Sequence, residues 1–215
     1  RDYFEGEKGI RFLVMGLPNK ENLYAEYMPD TIPKLVEQSR ADQVAEYLWN
    51  HTDIDYIYPK EELGKEKETN QVYYTTDTHW NQIGAFVGLQ AFFSRAYGTW
   101  AATDSVEFLV TDTNFAGDLA TIAGITEDYS IDTAYVLNIN SVSPEQYRDE
   151  VLLVVGDSFS GFLAIVAEPY YKKVYRVEPE KFTMSMLDQY QIDVVLWESV
   201  ERRIEIFKNT NLLEQ

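Results

Sequence analysis

Short apolar runs alternate with helical segments along this chain, and this alternation constrains its fold more than any other feature. Runs typical of buried strands occupy residues 11–16, 54–58, 151–155, 174–177 and 192–197. Apolar side chains recur at helical spacing in several of the intervening segments. Strands and helices in such alternation form a parallel sheet with helices on both faces. Since no internal repeat or linker is visible, the sequence predicts one three-layer α/β domain over residues 1–215.

Two helices carry clear start signals. Ser39 and Asp42 have the spacing of a capping box. Asn81 is a favoured N-cap for a second helix, which Gly98 would end. A third helix is predicted directly after the strand at 151–155. Its inward face is expected to carry Phe162, Ile165 and Val166.

Two other stretches lack a clear pattern. Residues 60–70 are charged and poor in apolar side chains, which is typical of a solvated loop or an exposed helix. Residues 99–149 are rich in Thr and Asp, and their weak periodicity predicts no particular element. The longest apolar runs, 151–155 and 161–167, are too short to span a bilayer.

The acidic balance and the absence of cysteine narrow the range of functions. The chain has 36 acidic and 18 basic residues, a formal charge of −18. This charge argues against a nucleic-acid partner, because phosphate binding needs clustered Lys and Arg; it equally fits simple solubility. Without cysteine there is no disulfide, thiolate nucleophile or Cys-ligated zinc. Imidazole chemistry is confined to two residues, His51 and His79.

Ser158 is the first candidate for chemistry. It stands between a predicted buried strand and a predicted helix, in the segment Gly156-Asp157-Ser158-Phe159-Ser160. A serine there projects from the carboxyl edge of the sheet, where open α/β folds bind ligands. The N–H groups at the helix start can stabilise an oxyanion. The alternative is that Asp157 or Ser158 merely caps the helix, and position alone does not separate the two.

His79 is the better candidate for the base that a serine nucleophile needs. Asp77 precedes it by two residues, so its carboxylate can orient Nδ1 and leave Nε2 free for a serine hydroxyl. His51 follows the end of a predicted helix, with no obvious acid partner beyond Asp53 and Asp55. A metal site using Asp77, His79 and a distant carboxylate competes with this reading. One histidine without cysteine makes a poor transition-metal set, so we expect no metal.

The two segments together resemble the AlgJ/AlgX-like, or DHHW-type, branch of the SGNH hydrolase superfamily. That branch has an Asp-x-His-Trp segment, here 77–80, upstream of a Gly-x-Ser-x-Ser segment, here 156–160. The resemblance extends from about residue 11 to residue 203. Similar points outside the two segments are Pro18-Asn19-Lys20, Tyr24, Pro29, Gly117-Asp118-Leu119 and 193–202. Ordinary SGNH hydrolases place the serine first, so the order here resembles a circular permutation of one active site.

The resemblance implies a reaction and a setting. It implies O-acetylation of a secreted polysaccharide through an acetyl-serine on Ser158, with His79 as base and then acid and Asp77 holding His79. Gly156, Asp157 and Phe159 would form the nucleophile loop, and the Ser158 N–H would be one oxyanion donor. Named family members act on alginate or bacterial cellulose, beside a membrane-bound O-acyltransferase that supplies acetyl groups. It further implies an extracytoplasmic location, no cofactor, and an upstream signal or membrane anchor that this chain, beginning at Arg1, lacks.

Three further residues are candidates for binding substrate. Arg202 lies near the position where ordinary SGNH enzymes supply an oxyanion asparagine. It could contact substrate or pair with Glu198, and the ion pair is the favoured interpretation. Trp80 could stack on a sugar ring or support its loop as a buried ring. Asn19, in the segment after the first strand, is the third candidate.

The sequence leaves other functions open. An acetylesterase would use the same three residues with water as acceptor. A carbohydrate-binding protein without catalysis could use the sixteen tyrosines and four tryptophans as stacking platforms. The charge of −18 would repel a polyuronate at low salt, so a neutral glycan such as cellulose is favoured over alginate.

Overall fold

The computed structural model describes residues 1–34, 36–101, 106–139 and 142–205. The helices and strands follow in chain order: β1 (Arg11–Leu17), α1 (Lys20–Leu23), α2 (Arg40–His51), β2 (Asp55–Ile57), α3 (Lys60–Glu66), α4 (Gln82–Tyr97), β3 (Val106–Phe115), α5 (Asp118–Ala123), β4 (Asp132–Ile139), β5 (Arg148–Gly156), α6 (Ser160–Ala167), β6 (Tyr171–Val177), α7 (Ser185–Gln189) and β7 (Val194–Val200). None of the helices among the described residues combines the length and apolarity that a membrane crossing requires.

Five strands form one parallel sheet in the order β2-β1-β7-β5-β6. β7 lies at its centre although it is the last of these strands along the chain. It pairs with all seven residues of β1 on one side and with β5 on the other. All seven residues of β7 are buried, as expected for a strand covered on both faces. The predicted parallel sheet is confirmed.

Helices cover both faces of the sheet. Alternate side chains of β1 point to opposite sides, so Leu13 and Met15 pack into one hydrophobic cluster and Phe12 and Val14 into another. The first cluster includes residues of α3, α4 and α6, and the second includes residues of α2 and α7. The predicted three-layer architecture is therefore confirmed.

The predicted helix starts are confirmed in detail. Ser39 and Asp42 form the reciprocal capping box at the start of α2. The Asn81 side chain accepts a hydrogen bond from the Gly84 N–H at 3.0 Å and caps α4. Gly98 ends α4 with a left-handed backbone at φ 66°, a conformation that glycine adopts without strain.

One helical face differs from the prediction. Ile165 of α6 is 48% exposed rather than inward, whereas Leu163 and Val166 are buried. For α4 only the two ends were predicted, and in the structure most of its residues are buried, so neighbouring segments cover the helix nearly all round. A Cβ on Gly88 would lie 2.9 Å from the Trp80 ring, so this glycine makes room for that ring to pack against α4.

The region without a clear pattern contains a small second sheet. β3 and β4 pair antiparallel across residues 106–139, and α5 lies between them in the chain. Two register shifts interrupt the pairing, and such irregularities blur the two-residue alternation that marks a strand. Residues 60–70 begin with the short helix α3, where Leu63 is fully buried, so this helix is exposed on part of its surface only.

Candidate active site

The structure brings Ser158, His79 and Asp77 together in one hydrogen-bonded line. Ser158 lies in the turn between β5 and α6, and His79 lies just before α4. Ser158 Oγ is 2.7 Å from His79 Nε2, and His79 Nδ1 is 2.6 Å from Asp77 Oδ1. An ionised carboxylate only accepts, so Nδ1 carries the proton and Nε2 accepts from the serine hydroxyl. An arrangement of this kind can remove the proton from a serine as it attacks a carbonyl.

Asp77 is held as an ion. Its Oδ1 accepts the His79 backbone N–H at 2.8 Å, and its Oδ2 accepts the Asp118 N–H at 3.0 Å. Burial alone would raise the pKa of Asp77. The hydrogen bonds from the His79 ring, the His79 N–H and the Asp118 N–H outweigh burial and lower this pKa to about 2. Asp77 therefore stays charged wherever the protein is folded near neutral pH.

Asp118, at the start of α5, is a second carboxylate beside His79. It accepts the Thr78 N–H at 2.7 Å and the Thr78 hydroxyl at 2.6 Å, and its Oδ2 is 3.7 Å from His79 Nδ1. Asp77, His79 and Asp118 each offer a ligand atom within 4.8 Å of the others, which is spacing that a cation could use. In this structure the same atoms hydrogen-bond within the loop, so Asp118 fixes the segment between Asp77 and His79.

The small β3–β4 sheet supports this loop through Asp132, the first residue of β4. Asp132 is 1% exposed and accepts the Thr75 N–H at 2.5 Å and the Thr76 N–H at 2.6 Å. It also accepts the Thr76 hydroxyl, whose oxygen in turn accepts the Gly117 N–H at 2.8 Å. No local pattern indicates this role, because Asp132 lies 55 residues after Asp77 in a region rich in aspartate.

The nucleophile turn is tied to β7 by Asp157. This buried side chain accepts the Phe159 N–H at 3.0 Å and the Val200 N–H at 2.9 Å, so it caps the turn and bridges to the central strand. Neither Asp157 nor Ser158 caps α6, whose N-cap is Phe159 without a side-chain cap hydrogen bond; Ser158 is exposed and faces His79. Gly156 leaves no room for a side chain, since a Cβ there would lie 2.4 Å from Glu198 Oε2.

Glu198 lies fully buried behind this turn, although it was expected to form an ion pair with Arg202. Neither of its carboxyl oxygens makes a hydrogen bond of normal geometry with a described residue. Burial, followed by the nearby Asp157 carboxylate, raises the pKa of Glu198 well above its usual value, which favours the neutral form. Since neither carboxyl oxygen has a partner among the described residues, the predicted ion pair between Glu198 and Arg202 is not formed.

Arg202 instead reaches the mouth of the site. Its guanidinium lies 5.1 Å from the centroid of the Phe159 ring and donates to Thr78 Oγ1 at 3.3 Å. The Phe159 ring in turn packs 4.9 Å from the His79 ring. Contact of Arg202 with substrate stays a prediction.

The remaining candidates take different positions. Trp80 has no exposed surface and donates its ring N–H to the Phe159 carbonyl at 3.0 Å. A fully buried ring cannot stack on a sugar, so the stacking interpretation is corrected in favour of support for the loop. Asn19 accepts the Arg202 N–H at 3.2 Å and joins the ends of β1 and β7 beside the site. His51 is exposed and packs on Tyr47 at 4.7 Å.

Comparisons with known proteins agree with this geometry. The sequence model of the family described as SGNH hydrolase-like domain, acetyltransferase AlgX, matches residues 6–171. The chain belongs to this family. The match spans the segments of Asp77, His79 and Ser158, and it confirms the resemblance predicted from those segments. Curated protein sequences give no match to this AlgX-family chain.

Solved structures share the fold of this AlgX-family chain at low identity. A DHHW family protein from Eubacterium siraeum has a TM-score of 0.73 at 14% identity, covering 94% of this chain and 83% of that one. The O-acetyltransferase domain of Pseudomonas putida AlgJ has a TM-score of 0.65 at 18% identity, covering 98% and 81%. Bacillus cereus PatB1 with a sulfonyl adduct has a TM-score of 0.66 at 15% identity, covering 96% and 86%. At these identities the likeness shows the fold.

The ionised Asp77 predicts a pH dependence for the stability of this AlgX-family chain. A carboxyl whose folded pKa lies below its ordinary value of 3.8 adds stability above that value, and loses it as pH falls towards about 2. Between pH 5 and about pH 3, the free energy of unfolding of Asp77→Asn should decrease by about 1 kcal/mol less than that of the wild type. Urea unfolding across this range measures the difference. Asp128→Asn, at an exposed position, is the matched control and should follow the wild type; parallel curves for Asp77→Asn and wild type would contradict the prediction.

Proposed function

We propose that this chain is a polysaccharide O-acetyltransferase that works through an acetyl group on Ser158. The observation that carries the proposal is the 2.7 Å contact between Ser158 Oγ and His79 Nε2, with Asp77 behind the imidazole. Membership of the AlgX family supports the acetyl transfer, and the AlgJ neighbour is itself an O-acetyltransferase domain. Residues 1–215 would form a single catalytic domain.

The first half of the reaction loads the enzyme. Ser158 Oγ attacks the carbonyl carbon of an acetyl ester while its proton passes to His79 Nε2, and the carbonyl π pair moves onto oxygen. The N–H of Ser158 donates no hydrogen bond to a described residue, and it would donate one to that oxyanion. As the intermediate collapses, the donor alcohol leaves with the proton from imidazolium, and the acetyl ester of Ser158 remains.

The second half transfers the acetyl group. A sugar hydroxyl loses its proton to His79 Nε2 and attacks the acetyl carbonyl. Collapse of the second intermediate breaks the bond to Ser158 Oγ, which takes the proton back, and releases the acetylated sugar. Asp77 stabilises the imidazolium in both halves and keeps Nε2 directed at Ser158. No step needs a metal or a cofactor.

An acetylesterase is the second candidate, because Ser158 is exposed and water can reach it. The same steps with water as acceptor release acetate.

The proposed setting of the chain is outside the cytoplasm, where a membrane-bound O-acyltransferase would supply the acetyl group. Mass spectrometry after brief exposure to an aryl acetate tests the common step, since one acetyl should appear on Ser158. Addition of a glucan oligosaccharide then separates the two: transfer gives an acetylated glycan, and hydrolysis gives acetate alone.

The charge of the chain predicts which acceptor reacts better. At a net charge of −18 the protein repels a polyuronate, and the repulsion weakens with salt because the Debye length shortens from about 30 Å at 0.01 M to about 10 Å at 0.1 M. We expect transfer to neutral glucan oligosaccharides to be faster at about 0.01 M salt and nearly independent of salt. Transfer to polyuronate should rise as salt increases. Initial rates with both acceptors at both salt concentrations measure this; a faster rate with polyuronate at low salt would reverse the preference.

A further inference from the structure

A wide groove opens beside the hydrogen-bonded line of Ser158, His79 and Asp77. Its volume is about 1080 Å³, slightly above the range of roughly 300–1,000 Å³ that is usual for small-molecule pockets. It runs between the segment that follows β1 and the segment that joins α3 to α4. A groove of this size suits a chain of several sugar rings better than one small molecule.

The near end of the groove adjoins the site described above. Thr78, Arg202 and Asn19 all line it, and Thr78 is the residue next to His79. Arg202 lies over Phe159, whose ring packs on the His79 ring. A polymer lying in the groove would therefore bring one of its rings to the mouth where Ser158 is exposed.

Tyrosines line the middle of the groove. Tyr27 is 79% exposed, an unusual state for an aromatic ring, and it stacks on Tyr24 with 6.1 Å between centroids. Tyr24 is held in turn, since its hydroxyl accepts the Val72 N–H at 3.2 Å and Lys67 lies 5.0 Å from its ring centroid. Tyr27 thus offers a flat apolar face on a fixed support, which is what the apolar face of a pyranose ring packs against.

The charged side chains of the groove are nearly balanced. Its lining includes three cations, Lys20, Lys67 and Arg202, and two acids, Glu21 and Glu68, although the whole chain carries −18. The Lys67 ammonium is paired with Glu26 at 2.9 Å, which removes one of the three cations as a partner for an anion. Amide side chains at Asn70 and Gln71 add hydrogen-bonding groups suited to sugar hydroxyls. The lining therefore matches a neutral glycan.

We propose that this groove binds the acceptor glycan, and that Tyr27 is its stacking platform. The inference rests on the proposed function, and it names the substrate class as an uncharged polysaccharide bound over several rings. Each ring that the groove accommodates adds contact, so affinity should increase with the length of the oligosaccharide until the groove is full. Tyr27 should then matter for long acceptors and not for a monosaccharide.

Calorimetric binding of unacetylated glucan oligosaccharides, from one to six rings, tests the groove without an acetyl donor and so without chemistry. We expect wild-type affinity to rise with length, and Tyr27→Ala to weaken binding of the longest oligosaccharide about tenfold. Tyr27→Phe keeps the ring and should stay within about threefold of the wild type. Tyr47→Ala is the matched control, because Tyr47 is 61% exposed on α2, outside the groove, and its removal should change nothing.

The outcomes separate this inference from the proposed function. Equal binding by Tyr27→Ala and wild type, absence of glucan binding, or tighter binding of a polyuronate would each overturn the groove assignment. None of these results bears on whether Ser158 takes an acetyl group. Conversely, if the oligosaccharide binds through Tyr27 but never receives acetyl from a labelled enzyme, the groove assignment stands and the transferase function falls.

Discussion

Replacing Ser158 with alanine is expected to reduce both acetate release and acetyl transfer by about 10⁴-fold or more. The variant has no hydroxyl for His79 to activate, so no acetyl-enzyme can form. Binding contacts and the oxyanion N–H persist, which is why a small residual rate above the uncatalysed one is expected. Acetate release from an aryl acetate and intact-protein mass spectrometry measure the two consequences: the rate falls, and the added mass of one acetyl group disappears.

The control for this variant is another exposed serine. Ser185, at the start of α7, hydrogen-bonds with Thr183 on another part of the surface, and Ser185→Ala should retain wild-type rates. The rate of His79→Ala should drop about as far as that of Ser158→Ala. His51→Ala should keep the wild-type rate, like the control. If Ser158→Ala keeps more than about one hundredth of the rate, or if acetyl appears on another residue, the assignment of the nucleophile is wrong.

Replacing Asp132 with alanine is expected to cost about 3–5 kcal/mol of stability. The change leaves the buried Thr76 N–H and Thr76 hydroxyl, and the part-buried Thr75 N–H, without their acceptor. Each unmet buried donor costs about 1–3 kcal/mol, and a domain has only about 5–15 kcal/mol in total. Urea unfolding followed by tryptophan fluorescence measures the loss as a shift of the midpoint.

The same variant should also affect the reaction. Thr76 directly precedes Asp77, so release of this segment lets Asp77 move relative to His79, and we expect kcat to fall more than KM rises. Asp128→Ala, an exposed acid nearby in the sequence, serves as control for both readouts. A midpoint for Asp132→Ala within error of that control would show that Asp132 does not support the loop.

Local signals in the sequence were enough to predict most strands of the five-stranded sheet. A run of buried apolar residues identifies a strand such as β7 whatever its neighbours are, and a capping residue such as Asn81 acts on a backbone N–H three residues away. The pair Asp77 and His79 is equally local, since the carboxylate reaches a ring two residues along the chain. Only the meeting of this pair with Ser158, 79 residues later, depended on the fold, and strand order at a sheet edge predicts it.

Contacts between distant segments were not predictable in the same way. Asp118 and Asp132 act on backbone groups 40 to 57 residues away, and nothing in their immediate neighbours distinguishes them from other acids of this region. The sequence favoured an ion pair of Arg202 with Glu198, four residues earlier in the chain. The structure buries the Glu198 carboxyl without a partner among the described residues, and Arg202 contacts Thr78 and Phe159 instead. The strands β3 and β4 were not predicted, because register shifts in their pairing break the two-residue alternation that marks a strand.

The central position of β7 affects how the chain folds while it is being synthesised. β1 and β5 both pair with residues 194–200, so neither has this neighbour until that segment has been synthesised. At roughly 5–20 residues per second, β1 waits on the order of 10 to 40 s for its partner strand. Through that time its apolar residues stay unsheltered, and a nascent chain in this state needs protection from self-association.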